Sequence, residues 1–155
     1  MFENENSVEV SSTIELVIFK VSDQYCALTS TEVQEIIKQH DMTKVYNADD
    51  YVKGIINLRG GIVSIISLHK KLGIKEDNVD KEYKVILANY KNEIVGLQVD
   101  DVEDIMKADS RLIEPPPSNL NGLDSIYFSG IFKMNDKLVS IINLDELLKF
   151  ESPVL

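Results

Sequence analysis

Two stretches of this chain decide its fold: YVKGIINLRGGIVSIISLHKKL at residues 51–72 and YFSGIFKMNDKLVSIINLDELL at residues 127–148. They align without a gap, and nine of the 22 aligned positions are identical. The identical pairs are Tyr51/Tyr127, Gly54/Gly130, Ile55/Ile131, Val63/Val139, Ser64/Ser140, Ile65/Ile141, Ile66/Ile142, Leu68/Leu144 and Leu72/Leu148. A match of this length predicts two halves with a similar fold.

Apolar and polar side chains alternate along the strand that follows the glycine of each copy. Ile56 and Leu58 lie on one face and Asn57 and Arg59 on the other, and residues 132–135 keep the alternation in the second copy. This pattern predicts a half-buried strand. Turn residues follow at 60–61 and 135–136, before an apolar run rich in β-branched residues, so each copy is predicted to form a β-hairpin.

A short helix is predicted after each hairpin. Ser67 and Asn143 occupy N-cap positions, and leucines follow them at i,i+4 spacing in both copies. Gly73 is placed to end the first helix. The hairpin in front of that helix presents Arg59 at its corner.

The repeat extends beyond the hairpin unit, because residues 16–38 align with residues 85–107 at a constant shift of 69. Strands are predicted at 14–21, 25–28, 84–90 and 93–100. The spacing of Val33, Ile36 and Ile37 predicts a short helix, and Val102 and Ile105 repeat that spacing. The acidic run at 100–104 is therefore predicted to form a solvated helical face.

The domain organisation follows from the connections. The charged residues 74–82 divide one domain, 14–150, into halves of approximately 14–73 and 83–150. Residues 1–13 and 151–155 are predicted tails, and Pro115–Pro117 are predicted to carry the chain from one half back to the other. About five strands in each half predict a mainly β fold of two small barrels, because closure removes exposed strand edges.

Composition narrows the functional classes. The chain has 155 residues, 44% hydrophobic and 27% charged, which is a globular composition. A formal charge of −10 argues against nucleic acid and against anionic membrane surfaces as partners. No apolar run approaches membrane-spanning length and no signal peptide is evident, so a cytoplasmic location is predicted. Cys26, the single cysteine, is predicted to be a buried thiol.

Reactive groups do not converge in the sequence. His40 and His69 are predicted to face solvent, and Ser64 and Ser140 lie in the middle of apolar runs, where a buried hydroxyl is the ordinary interpretation. No nucleophile, base and acid set, no metal-ligand spacing and no nucleotide-binding loop is present. The sequence therefore predicts no enzyme, no cofactor and no metal site.

Arg59 in GIINLRG is the sharpest local signal. A stabilising ion pair is one interpretation, and a fork-shaped donor offered to a binding partner is the other. The second copy has Asn135 at this place, so the hairpin can form without an arginine. That difference favours the binding interpretation.

The chain resembles the CheW family of bacterial chemotaxis coupling proteins from about Ile14 to Phe150. The segments that carry the resemblance are YVKGIINLRGGIV (51–63), EVQEII (32–37), VGLQVDDVEDI (95–105), IEPPP (113–117) and LVSIINLDELL (138–148). The resemblance implies two intertwined five-stranded SH3-like subdomains. It also implies a non-enzymatic adaptor that joins the cytoplasmic tip of chemoreceptors to the regulatory domain of the histidine kinase CheA.

The resemblance also assigns candidate receptor-binding residues, whereas the kinase-binding surface stays unplaced. These candidates are Val33, Glu35, Ile36, Gly54, Asn57, Arg59, Gly60, Val102 and Ile105. A monomer is expected in the absence of partners. Two positions depart from the family pattern, which usually has proline at Ser64 and aspartate at Ser67. These departures leave open whether the chain is a main coupling protein or a divergent paralogue that serves another receptor–kinase system.

Other functions stay open from the sequence alone. A stand-alone β-barrel that binds a small molecule or a peptide is the runner-up to the adaptor, and a hydrolase is third. A ligand-binding barrel predicts a sizeable internal cavity, whereas an adaptor predicts saturable binding to an extended receptor helix and to the kinase domain.

Overall fold

The computed structural model describes residues 12–38, 41–76, 82–120 and 122–149. Most of these residues lie in β-strands. Two short helices, α1 (Leu68–Leu72) and α2 (Leu144–Leu148), follow the two hairpins of the repeat. The strands are β1 (Thr13–Val21), β2 (Gln24–Thr29), β3 (Val33–Lys38), β4 (Val52–Leu58), β5 (Gly61–Ser67), β6 (Lys84–Tyr90), β7 (Glu93–Val99), β8 (Asp101–Asp109), β9 (Asn119–Leu120), β10 (Leu123–Asp124), β11 (Phe128–Met134) and β12 (Lys137–Ile142).

Ten of the strands form two five-stranded sheets, and each sheet takes strands from both halves of the repeat. The Arg59 sheet, named for the residue at its β4–β5 turn, has the order β3-β6-β7-β5-β4. The Asn135 sheet, named for the β11–β12 turn, has the order β11-β12-β2-β1-β8. Strands β9 and β10 form a separate two-stranded hairpin. The predicted mainly β architecture with two five-stranded units is confirmed.

The repeat determines the hydrophobic core position by position. Ile56, Val63 and Ile65 lie in the core of the Arg59 sheet, and their counterparts Phe132, Val139 and Ile141 lie in the core of the Asn135 sheet. A third cluster is shared between the sheets, and both halves of the repeat contribute to it. Its equivalent pairs include Ile66/Ile142, Leu68/Leu144 and Leu72/Leu148. The inner strands are apolar throughout because one face packs inside a sheet and the other against its neighbour.

Neither sheet pairs its two edge strands directly along their length. Instead, the segment after β3 bridges to β4 at the opposite edge, through hydrogen bonds of 2.9 and 2.8 Å between Thr43 and Ile55. The segment after β8 reaches β11 in the same way, through Glu114 and Ile131. These bridges lie against the repeated glycines: a Cβ on Gly54 would lie 2.6 Å from the Thr43 carbonyl oxygen. The glycine is repeated because the backbone approaches closely at both places.

The hairpin–helix units form as predicted. Ser67 Oγ accepts a hydrogen bond from Lys70 N at 3.2 Å, and Asn143 Oδ1 accepts one from Glu146 N at 3.1 Å. Gly73 ends α1 in the left-handed conformation, with φ of 74°. Cys26, Ser64 and Ser140 are buried, as predicted.

The helices predicted around Val33 and after Asp100 are wrong. Ser30–Glu32 form one turn of 3-10 helix, and the chain then extends into β3, which pairs with β6. Residues 101–109 form β8 and pair with β1. The i,i+3 spacing of apolar residues was ambiguous over so few residues, and the pairing partners brought by the tertiary fold decided between helix and strand.

Two predicted solvent exposures are also wrong. His69 is only 1% exposed and Asp100 only 6% exposed, because the chain between β7 and β8 covers the side of α1 that the helical pattern leaves polar. His40, residues 77–81 of the linker and most of the predicted tails lie outside the described residues.

The proline segment does not cross between sheets. Residues 115–117 connect β8 with the β9–β10 hairpin and then β11, and β8 and β11 belong to the same sheet. The chain passes between the two five-stranded sheets at β2–β3 and at β7–β8 instead. Within the described ranges, no helix is long and apolar enough to cross a membrane.

Candidate functional site

The candidate site lies at the open edge of the Arg59 sheet, where its two edge strands face each other. Arg59 extends from the β4–β5 turn, and its Nη2 lies 2.7 Å from Glu35 Oε2 on β3. The Arg59 side chain is 67% exposed and that of Glu35 is 30% exposed. The ion pair therefore connects the two edge strands at the surface of the molecule.

The turn that carries Arg59 is fixed by local interactions. Arg59 has φ of 50° and Gly60 has φ of 83°, and Asn57 Oδ1 accepts a hydrogen bond from Gly60 N at 3.2 Å. Positive φ values also occur at the turn residues of the other three long hairpins, at Ser22, Lys91 and Asn135. The backbone of this turn is thus common to the fold, and the arginine side chain is what distinguishes it.

The pair has a defined electrostatic state. The hydrogen bond from Arg59, assisted by its charge, lowers the pKa of Glu35 below the ordinary carboxyl value, and the same contact raises the pKa of Arg59. Both groups are therefore charged at neutral pH. Since the pair is solvent-exposed, its contribution to folding is small, and either partner can exchange its contact for one with another molecule.

The predicted site residues divide into surface and core positions. Ile36 lies next to Glu35 in sequence and is 36% exposed, and Asn57 and Gly60 are exposed beside Arg59.

Gly54 is buried at the Thr43 bridge. Val33 and Val102 pack partly against the shared core. Ile105 is 55% exposed but belongs to β8 of the Asn135 sheet. Only some of the predicted receptor-binding residues therefore lie around Arg59.

In the part of the chain that the structure describes, the equivalent edge of the Asn135 sheet has no counterpart of the Arg59–Glu35 ion pair. Asp104 corresponds to Glu35 in the repeat, and Asn135 corresponds to Arg59. Asp104 Oδ1 accepts a hydrogen bond from the neighbouring Ile105 N at 2.8 Å. Asparagine also adopts the left-handed conformation more readily than arginine does. The arginine–glutamate link is therefore a specific feature of one sheet.

The interiors of the sheets do not offer a ligand site in the described residues. Each is filled by its own apolar cluster. An open cavity of about 380 Å³ lies on the surface and is lined by charged side chains: Lys20, Glu82, Lys84, Asp100, Asp101 and Glu103. A small-molecule site is usually a mostly apolar, well-enclosed cavity, which this is not. In the described ranges, no three His, Cys, Asp or Glu side chains converge as a metal site.

The sequence prediction missed one buried polar cluster. His69 Nε2 lies 3.1 Å from Asp100 Oδ1, and Ser22 N donates a hydrogen bond to Asp100 Oδ2. Nothing in the local pattern links these three residues, which are separated by long stretches of chain. Only the pairing of β7, β8 and β1 brings them together.

Comparisons with known proteins agree with the fold. A family model described as the CheW-like domain matches residues 15–152. Chemotaxis protein CheW of Rhizobium meliloti (strain 1021) is 31% identical over 137 residues, which cover 88% of this chain and 88% of that protein. Chemotaxis protein CheW of Klebsiella aerogenes is 30% identical over 141 residues, which cover 91% of this chain and 85% of that protein.

A solved structure gives the same assignment. The crystal structure of the scaffolding protein TtCheW from Thermoanaerobacter tengcongensis superimposes with a TM-score of 0.81 at 33% identity and covers 86% of each chain. This chain therefore belongs to the CheW family, whose members are chemotaxis adaptor and scaffolding proteins.

Proposed function

We propose that this protein couples the cytoplasmic tip of chemoreceptors to the regulatory domain of the histidine kinase CheA, and that the edge of the Arg59 sheet binds the receptor. The protein acts by holding both partners and catalyses no reaction. It works in the cytoplasm and is a monomer when free. The receptor-binding surface consists of Glu35, Ile36, Asn57, Arg59 and Gly60 of the Arg59 sheet. The receptor also contacts Ile105 on the Asn135 sheet.

The observation that carries this proposal is the exposed Arg59–Glu35 pair, which connects the two edge strands of the sheet. An arginine already oriented by a neighbour loses little side-chain entropy when it binds a partner carboxylate or carbonyl. Ile36, the next residue of edge strand β3, is 36% exposed on the opposite face of that strand and supplies apolar contact area there. This combination of an arginine and an apolar anchor is typical of residues that dominate the energy of protein interfaces.

The equivalent corner of the Asn135 sheet provides a matched control. We would titrate a receptor-tip fragment and the CheA regulatory domain, separately, against wild-type protein and the variants Arg59→Glu, Arg59→Lys and Asn135→Glu. Arg59→Glu should weaken receptor binding at least about tenfold, as expected for a central interface arginine. Arg59→Lys should bind with intermediate affinity, because an ammonium group does not reproduce the planar fork.

The controls separate binding from folding. Asn135→Glu introduces the same charge at the same place in the fold and should leave receptor binding within about twofold. The Arg59 variants should keep their melting temperature within about 2 °C, since the position is exposed. Asn135→Glu removes an asparagine from a left-handed turn and should lower the melting temperature by about 2–4 °C without unfolding the protein. Binding of the CheA domain should stay nearly constant in Arg59→Glu.

A charge-swapped variant, Glu35→Arg with Arg59→Glu, tests whether the pair itself or the arginine is what the receptor recognises. The swap restores an ion pair between the edge strands, so a purely structural role predicts full recovery of binding. The proposal predicts no recovery. Unchanged receptor affinity in Arg59→Glu, or an equal loss in Asn135→Glu, would contradict it.

A further inference from the structure

A buried polar cluster lies where the chain passes from β7 to β8, and we call its members Ser22, His69, Lys75 and Asp100 the crossover cluster. Asp100 is the single residue between β7 of the Arg59 sheet and β8 of the Asn135 sheet. His69 belongs to α1, which follows β5 of the Arg59 sheet. Ser22 lies in the β1–β2 turn of the Asn135 sheet. The cluster therefore contains residues attached to both sheets.

Asp100 is held from both sides. Its backbone N donates to Lys20 O at 3.0 Å, and its Oδ2 accepts from Ser22 N, both in the Asn135 sheet. Its Oδ1 lies 3.1 Å from His69 Nε2, on the side of the Arg59 sheet. The Ser22 hydroxyl donates to the carbonyl oxygen of Lys75, in the segment after α1, at 2.6 Å. Two polar connections thus join the β1–β2 turn to the segment that begins with α1.

The imidazole ring is fixed in position and orientation. The ring of Tyr83 packs edge-on against it, with centroids 5.8 Å apart, and Tyr83 OH donates to Glu76 Oε2 at 3.0 Å. Burial, with the help of that hydrogen bond, raises the pKa of Tyr83 to about 12, so its hydroxyl remains a donor. His69 Nε2 faces a carboxylate oxygen of Asp100, which only accepts, so Nε2 is the donor of this hydrogen bond. Among the described residues, Nδ1 has no hydrogen-bond partner.

The other crossing between the sheets is built differently. Thr31 stands where Asp100 stands in the repeat, and it is exposed between β2 and β3. Asp145 stands where His69 stands, and it accepts a hydrogen bond from Tyr90 OH at 3.3 Å. The buried histidine–carboxylate pair therefore does not follow from the repeated architecture. It is specific to the junction that leads into β8, the strand that carries Ile105.

We propose that His69 and Asp100 are positioning residues that fix the orientation of the Asn135 sheet relative to the Arg59 sheet, and thereby set the affinity for the receptor. This inference rests on the proposed function, in which the receptor contacts Arg59 on one sheet and Ile105 on the other. A buried carboxylate needs all its hydrogen-bond donors, so the two sheets must keep the one arrangement that supplies them. Loss of one donor allows the junction to adopt other arrangements.

Spin-label distance measurements on the full-length chain would test this directly. Labels at Asn89→Cys on β6 and Lys133→Cys on β11 occupy exposed positions of the two sheets. Native Cys26 does not interfere, because it is fully buried and burial raises the pKa of its thiol to about 12. The comparison uses His69→Phe, which keeps a ring but removes the donor, and His69→Gln, which keeps a donor.

Tyr90→Phe serves as the matched control, since it removes the hydrogen bond to Asp145, the residue equivalent to His69 in the repeat. We expect a single narrow distance distribution in the wild type, His69→Gln and Tyr90→Phe proteins. His69→Phe should shift or broaden the distribution and weaken binding of the receptor-tip fragment about fivefold, at the lower end of typical coupling between sites. If His69→Phe does not fold, Asp100→Asn takes its place, because it keeps the size of the side chain and should have the same two effects.

The outcomes separate this inference from the proposed function. If Arg59→Glu weakens receptor binding but His69→Phe or Asp100→Asn lowers only the melting temperature, with distance and affinity unchanged, the pair is merely structural and the inference is overturned. An unchanged affinity in Arg59→Glu would contradict the proposed function itself. A distance distribution and a receptor affinity like those of the wild type in His69→Gln, together with a changed distribution and a weaker affinity in His69→Phe, would support the positioning role.

Discussion

The Arg59 sheet and the Asn135 sheet bury equivalent side chains at equivalent positions, yet they present different corners to the solvent. In the first, Arg59 reaches across the sheet opening to Glu35. In the second, Asn135 occupies the turn, and Asp104 makes a hydrogen bond to its neighbour's backbone. Both turns adopt the left-handed conformation, with φ of 50° at Arg59 and 55° at Asn135.

This comparison separates what the fold needs from what one surface adds. The β-hairpin, the glycine at the bridge and the helix cap occur in both sheets, so they are requirements of the architecture. The arginine and the ion pair occur in one sheet only, so the architecture does not require them. The comparison thus supports the proposal that Arg59 serves binding, and it does so on physical grounds that do not depend on the family resemblance.

The largest expected effect comes from separating the halves. Residues 83–155 contain β6 and β7 of the Arg59 sheet but lack β3, β4 and β5, and they lack β1 and β2 of the other sheet. A fragment of residues 83–155 should therefore lose the whole folding free energy, typically about 5–15 kcal/mol for a small domain. Its amide NMR spectrum should show the narrow dispersion of an unfolded chain, and addition of residues 1–82 should restore dispersion. A well-dispersed spectrum of the fragment alone would contradict the interdependence of the halves.

The two repeated glycines should differ in their tolerance to a methyl group. A Cβ at Gly54 would lie 2.6 Å from the backbone oxygen of Thr43, whereas at Gly130 the nearest atom is the side-chain Cγ2 of Ile113, also at 2.6 Å. A side chain yields more readily than a backbone bridge, so Gly54→Ala should destabilise by about 3 kcal/mol and Gly130→Ala by about 1–2 kcal/mol. Urea unfolding of each variant measures the change in its free energy of unfolding.

Gly61→Ala is the control for these two variants. Its Cβ would meet nothing closer than 3.6 Å, and the second copy has Lys137 at the same place. The expected change is within about 0.5 kcal/mol. Equal destabilisation at all three positions would show that close approach to the bridges is not the reason for the repeated glycines.

The smallest effect concerns the titration of Glu35. Arg59 lowers the pKa of Glu35 in the folded protein, so the pair stabilises the fold at pH values above the ordinary glutamate pKa of about 4.3 and loses this contribution as pH falls through the lowered value. Arg59→Ala should raise the pKa of Glu35 towards its ordinary value, as measured by NMR of the side-chain carboxyl carbon. Asn135→Ala should leave that pKa unchanged, and an equal rise in both variants would argue against the ion pair in solution.

The sequence by itself determined the elements that depend on local pattern and on the repeat. Alternation at 56–59, turn residues and cap residues predicted both hairpin–helix units, since these signals act over a few neighbouring residues. The difference between Arg59 and Asn135 was also visible in the sequence. Glu35 entered the candidate site through the family resemblance, and its contact with Arg59 could not be predicted from the pattern around either residue.

The tertiary structure decided the features that depend on partners distant in the chain. Val33–Lys38 became a strand because β6 offered an edge for pairing, whereas its apolar spacing alone also suited a helix. His69 and Asp100 became buried because strands from both halves enclose the junction between the sheets. Burial and pairing depend on which surfaces the whole chain brings together, and a local pattern of polar and apolar residues does not contain that information.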